Sequence, residues 1–216
     1  MKKRLESFYL ENLAQIREIR LRYKDCDLGG PLLISPSEGY ITSKKKIFIV
    51  GQQTNGWCCD FDNVQNQMRC YEEFNLGKNY YRTPFWNVFR KIEKAILGEE
   101  YCSVWSNFNR YDFEGKRPDG EMEREISKLD YLLKKEIEIL QPDICLFLVG
   151  HSFDERIKNL FPGIMFESLR GWEERQLARL KHVNLPVYTY RTYHPNYLRR
   201  SGLEERFINE LKMEIS

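Results

Sequence analysis

Apolar positions recur along this chain with two different periods. Leu5, Phe8, Leu13, Ile16, Ile19 and Tyr23 follow near-helical spacing, which predicts an amphipathic helix over 3–24, ending before "DCDLGG". The Gly, Pro and Ser residues of 29–43 read as loop, and "KIFIVG" (46–51) then gives a buried strand. Further strands are predicted at 102–106, 143–149 and 187–191, with a weaker pattern at 164–168. Between them lie a helix over 84–97, with Pro84 in its first turn where a missing N–H costs nothing, and a charged amphipathic segment over 121–140. Ser152 with Glu155, and Ser201 with Glu204, have capping-box spacing and predict two more helix starts. Strands alternating with helices imply an α/β fold: a short, mostly parallel sheet covered on both faces, which binds ligands beyond the carboxyl ends of its strands.

Composition narrows the class. The 216 residues suit one domain with a substantial core, and 42% hydrophobic with 31% charged residues places the chain among globular proteins. No apolar run of secretory length follows "MKKRLESFYL", and no segment approaches the ~18 apolar residues of a membrane span, so a cytoplasmic protein without a membrane partner is expected. Cys26, Cys58, Cys59, Cys70, Cys102 and Cys145 form no C-x-x-C pair and read as reduced thiols. A metal site on Cys58, Cys59 and Cys70 would require adjacent cysteines to share one tetrahedral ion, so no metal is expected. Lys and Arg total 34 against 32 Asp and Glu, a net charge of +2, so any nucleic-acid contact must come from local patches such as Lys44, Lys45 and Lys46 or Arg199 and Arg200.

Three strand ends carry unusual polar clusters: "GQQTNGW" (51–57), "SNFNR" (106–110) and "TYHPNYLRRSG" (192–202). Amides at such ends can read donors and acceptors on a ligand, or can simply make turns. Neighbouring parallel strands would bring all three clusters to one edge of the sheet.

In order and placement these clusters resemble the motifs of the uracil-DNA glycosylase superfamily: a first-strand G-Q-D-P-Y-H or G-[IM]-N-P-G, a central strand ending in Asn, and a late H-P-S loop. Gly51, Gln52 and Gln53 fall on the first motif, Asn107 on the second, and His194, Pro195 and Asn196 on the third. The resemblance covers Lys46 to Gly202 and leaves the N-terminal helix outside. It implies a single uracil-DNA glycosylase-like domain over 1–216, an α/β/α sandwich that holds a nucleobase at the strands' carboxyl ends, works on DNA without a cofactor or iron-sulfur cluster, and acts as a monomer.

The resemblance assigns roles residue by residue. Asn107, with Asn109 as local competitor, would read the base edge, assisted by Gln52. His194 would donate to the pyrimidine oxygen on which charge develops, a contact worth ~3 kcal/mol or about a hundredfold in rate. Trp57, Phe85 or Trp86 would stack on the base. Leu198 would wedge into the vacated stack, with Asn196, Arg199 and Arg200 on the DNA.

Two positions depart from the family pattern. Gln53 stands where the best-known branch has a water-activating Asp, and a neutral amide takes no proton, so Gln53 or Asn55 would at most position water. Asn196 stands in place of Ser. The expectation is a glycosylase-like protein that excises uracil or another deaminated base slowly or selectively. The alternative is a noncatalytic binder that keeps the pocket. A third class is a small-molecule α/β enzyme such as a nucleoside or nucleotide hydrolase or transferase; the chain lacks the glycine-rich loops of ordinary nucleotide folds, and a nucleophile pair of Cys58 with a histidine stays open.

Overall fold

The computed structural model describes residues 1–57, 63–78 and 83–215. Among these residues eight strands occur: β1 (Leu28–Gly29), β2 (Ile47–Gly51), β3 (Val104–Asn107), β4 (Asp112–Phe113), β5 (Ile144–Leu148), β6 (Met165–Ser168), β7 (Leu177–Lys181) and β8 (Tyr188–Thr192). Six form one mixed sheet in the order β3-β2-β5-β8-β7-β6, and β1 pairs with β4 apart from it. The four strands β3-β2-β5-β8 are parallel, while β7 and β6 return antiparallel. Every residue of β2 and β5 is buried, as expected of parallel strands covered on both faces. The exposed edge belongs to β6, a short strand whose Glu167 pairs with Lys181, features that discourage edge-to-edge association.

The helices are α1 (Lys2–Glu11), α2 (Leu13–Arg22), α3 (Glu38–Thr42), α4 (Val64–Phe74), α5 (Pro84–Leu97), α6 (Gly120–Ser127), α7 (Asp130–Leu140), α8 (Asp154–Leu160), α9 (Pro195–Arg200) and α10 (Glu204–Ile215). They pack in two groups, α5 with α9 and α10, and α1 with α2, α4 and α7, the last of which meets α8. The architecture is that of an α/β protein in layers. No helix of the described residues is long and apolar enough to cross a membrane.

Several predicted boundaries change for local reasons. The helix expected over 3–24 breaks at Asn12, whose Nδ2 donates to the Phe8 carbonyl at 2.7 Å while its Oδ1 accepts from Tyr131. The segment 121–140 is two helices parted at Lys128 and Leu129. The expected loop 29–43 contains α3, capped by the Ser37 hydroxyl on the Tyr40 amide. Neither capping box forms. Helix α8 starts after a 3-10 turn at His151–Phe153 with no side-chain cap, and the Ser201 hydroxyl donates back to the Tyr197 carbonyl.

One buried polar cluster fixes the segment that leaves β3. Arg110 and Glu136, both fully buried, form a two-pronged ion pair with both contacts at 2.7 Å. Tyr9 and Ser106 donate to the same carboxylate, and Arg110 also donates to the Leu32 carbonyl. Burial and then the neighbouring Glu136 charge hold the Tyr9 phenol well above its ordinary range, so it stays a donor. The cluster ties α1, α7 and the 31–34 segment to the strand end that carries Asn107.

Candidate functional site

β2 ends at Gly51, and its register places Gly51 beside Asn107 of β3. A Cβ at Gly51 would lie 2.4 Å from Asn107 Oδ1 and 3.1 Å from the Phe85 ring, so only glycine lets these side chains approach. The pairing continues past the strands: the amides of Phe108 and Asn109 donate to the carbonyls of Gly51 and Gln52. The polar run after Gly51 is therefore still held against the sheet.

Asp112 anchors the rest of "GQQTNGW". Its buried carboxylate accepts from the Thr54 hydroxyl, from the Trp57 amide at 3.1 Å and from the Gly115 amide at 2.9 Å. The Trp57 indole donates to Gln67 of α4 at 3.1 Å. These bonds orient the loop so that Gln53, Asn55 and Trp57 line a cleft of about 710 Å³, together with Phe85 and Trp86 of α5 and with His194 and Asn196. Residues from the ends of β2 and β8 thus meet in one concavity, as an open parallel sheet favours.

Stacked and edge-on aromatics build one wall. Trp86 lies 5.1 Å from Trp105 and 5.2 Å from Phe74, and Trp57 lies 5.6 Å from Trp105, centroid to centroid. Trp57 and Trp86 are buried in this cluster, whereas Phe85 is only partly buried and faces the His194 ring at 5.9 Å with a 30° tilt. Of the three aromatic candidates, Phe85 keeps the most open surface.

His194 precedes α9, and its Nδ1 accepts from the Asn196 amide at 3.3 Å. Burial lowers its pKa from 6.5 to about 4, so the ring is neutral near pH 7. With Nδ1 accepting, the proton resides on Nε2, and no described protein group takes that N–H. The result is a neutral donor in the cleft.

Asn107 is fully buried, and the Trp105 indole donates to its Oδ1 at 3.0 Å. An indole N–H can only donate, which fixes the orientation of the amide. Its Nδ2 then has no partner, nor has the buried Oε1 of Gln53. Buried polar atoms without partners are uncommon, and here a donor and an acceptor are left open at the ends of adjacent strands.

Asn107 itself is not among the residues that line the cleft, and other candidates fall elsewhere. The Gln52 side chain turns away and donates to the Val149 carbonyl at 2.7 Å, tying β2 to the end of β5. Leu198, expected as an exposed wedge, is fully buried, because α9 folds its apolar position inward toward α5 and α10. Arg199 and Arg200 are exposed and line no part of the cleft; Arg199 instead approaches Glu204 at 3.5 Å. The Asn109 amide bonds Glu123 and Arg156 and braces α6 and α8. Cys58 and Cys59 lie outside the described residues, and among the described residues no cluster of His, Cys, Asp and Glu could hold a metal ion. Burial pushes the Cys102 thiol up to about 11.

Sequence reasoning missed Asp112 and Gln67, which hold the cleft loop, and Trp105, Phe74 and Glu73, which line the cleft; Cys70, weighed there only as a metal ligand, lines it too. Only the apolar context of "SVWSN" marked Trp105 as a strand residue. No protein-family model matches the chain, and no curated protein matches it.

Proposed function

We propose that this protein is a divergent member of the uracil-DNA glycosylase superfamily that takes a deaminated base, uracil foremost, into the cleft between β2 and α9 and hydrolyses its N-glycosidic bond in DNA. The observation that carries this reading is His194: a neutral ring with its free proton on Nε2, sharing a cleft with Gln53, Asn55 and a partly open Phe85. Motif and geometry support each other in part: Gln53, His194 and Asn196, three of the residues that prompted the resemblance, come from distant parts of the chain yet line one concavity.

The chemistry follows from these groups. An extruded base stacks on Phe85 and meets the open Gln53 Oε1 with its hydrogen-bonding edge, and Asn107, which does not line the cleft but is bonded to Trp105 of its wall, offers its open Nδ2. As the C1′–N bond breaks, its electron pair moves onto the base, and Nε2–H of His194 stabilises the oxygen where that charge collects. Water held by Asn55 or Gln53 adds to C1′ of the sugar cation, and its proton leaves to solvent or to the departing base. Without an aspartate beside the water, the reaction is slow compared with enzymes that have a general base.

A second reading, a protein that binds the base without cleaving it, is favoured by one observation. Glu73 is the sole carboxylate among the described cleft residues, and it is exposed and within 3.7 Å of Arg69. The two readings separate when excess protein is incubated with labelled oligonucleotides containing uracil, hypoxanthine, xanthine or a thymine mismatch, followed by alkaline cleavage of abasic sites. Strand breaks with one of these bases, lost in His194→Ala, are expected. No breaks from a correctly folded protein would leave the binder.

A further inference from the structure

A second cavity, of about 470 Å³, lies next to the cleft along the same two helices, and neither the motifs nor the chemistry above uses it. Its lining includes Arg90, Lys91 and Lys94 of α5, Lys78, and Arg199 of α9, against two carboxylates, Glu100 and Glu204. Position 87 with 90, 91 and 94 follows i, i+3, i+4, i+7 spacing, so this polar stripe runs down one face of α5 while Val88, Phe89 and Ile92 fill the core on the other. Glu204 is already engaged by Lys91 and Arg199. Arg90 is only partly exposed, and its buried Nη1 has no hydrogen-bond partner among the described residues. A guanidinium N–H withdrawn from water and left unmatched, inside a cavity with excess positive charge, calls for an oxyanion.

We propose that this cavity binds backbone phosphates of the DNA strand whose base enters the cleft. Pro84, Phe85 and Trp86 in the first turn of α5 line the cleft, and Lys94 lies ten residues further on, roughly 15 Å along the helix axis. On α9 the same passage runs from Asn196 in the cleft to Arg199 in the cavity. A strand following both helices sets phosphates against Arg90 and Lys94 while a nucleotide beyond them occupies the cleft. This assignment rests on the nucleic-acid part of the proposed function and not on catalysis.

The test uses undamaged labelled single strands, so that it is blind to excision. Binding by the wild-type chain is measured by fluorescence anisotropy from about 50 to about 200 mM salt, beside Arg90→Ala and Lys94→Ala, with melting curves confirming that both variants fold. Each variant should bind about fivefold to tenfold more weakly at low salt, and its slope of log affinity against log salt should flatten by about 0.7, the loss of one phosphate contact. Wild-type affinity and slope in both folded variants would overturn the assignment. So would a wild-type chain that binds inorganic pyrophosphate by calorimetry but no DNA, which would give the cavity to a free phosphate compound. DNA binding with the expected losses, in a protein that excises nothing, would uphold this site while removing the glycosylase reading.

Discussion

The molecule buries two polar constellations near the carboxyl end of its sheet, and they are finished to different degrees. Around Glu136 both carboxylate oxygens and both terminal nitrogens of Arg110 are engaged, and only Arg110 Nε is left over. At the cleft, Gln53 Oε1 is buried and unmatched, as is Nδ2 of Asn107 behind the Trp105 indole, and His194 presents a neutral N–H that no described protein group accepts. Satisfied buried polar groups specify architecture, whereas open ones can take a water or a ligand. The contrast separates the residues that hold the strand ends in place from those that use them.

The largest effects should come from breaking the finished cluster. Glu136→Ala leaves the Arg110 charge buried without its partner and should lower folding stability by about 3–5 kcal/mol, read as a shifted denaturant midpoint. A variant as stable as wild type would remove the architectural role of the pair. Next, His194→Ala should slow single-turnover excision about a hundredfold with little change in melting temperature; an equal fall in both would make His194 a structural residue. Asp112→Ala leaves the Thr54 hydroxyl and two backbone amides without their acceptor. It should cost about 1–3 kcal/mol of stability and weaken base binding together, because the cleft loop loses its anchor.

The smallest effect is a pH dependence. The folded pKa of His194 lies below its unfolded value of 6.5, at about 4. The unfolded chain therefore takes up the proton first, and stability present above pH 6.5 is lost as the pH falls toward about 4. His194→Gln should flatten the melting temperature across that window relative to wild type. Excision should show no inflection from this group between about pH 5 and about pH 8, where it stays neutral.

The apolar runs "KIFIVG" and "DICLFLV" announced their strands because a parallel strand covered on both faces has few polar positions. Pro84 marked the start of α5 equally well, and the Thr83 hydroxyl caps it. Strand β7, "LARLK", was hidden because Arg179 and Lys181 interrupt its apolar pattern near the open side of the sheet. The cleft residues Gln53, Asn55 and His194 were legible because each follows an apolar strand. Asp112 was not, since it bonds Thr54 and Trp57 more than fifty positions away, and no local pattern encodes that contact. Leu198 was placed wrongly for a related reason. Its spacing from His194 suited an exposed wedge, but the turn of α9 and its packing bury it.

Equilibrium binding to two duplexes of the same sequence decides whether the cleft reads a base. One carries a 2′-fluorinated deoxyuridine, whose glycosidic bond resists cleavage, opposite guanine; the other carries cytosine at that position. Binding to the first should be at least about tenfold tighter, a preference abolished in Asn107→Ala and reduced in Phe85→Ala. Equal affinity for the two duplexes, in a protein that binds DNA, would contradict it.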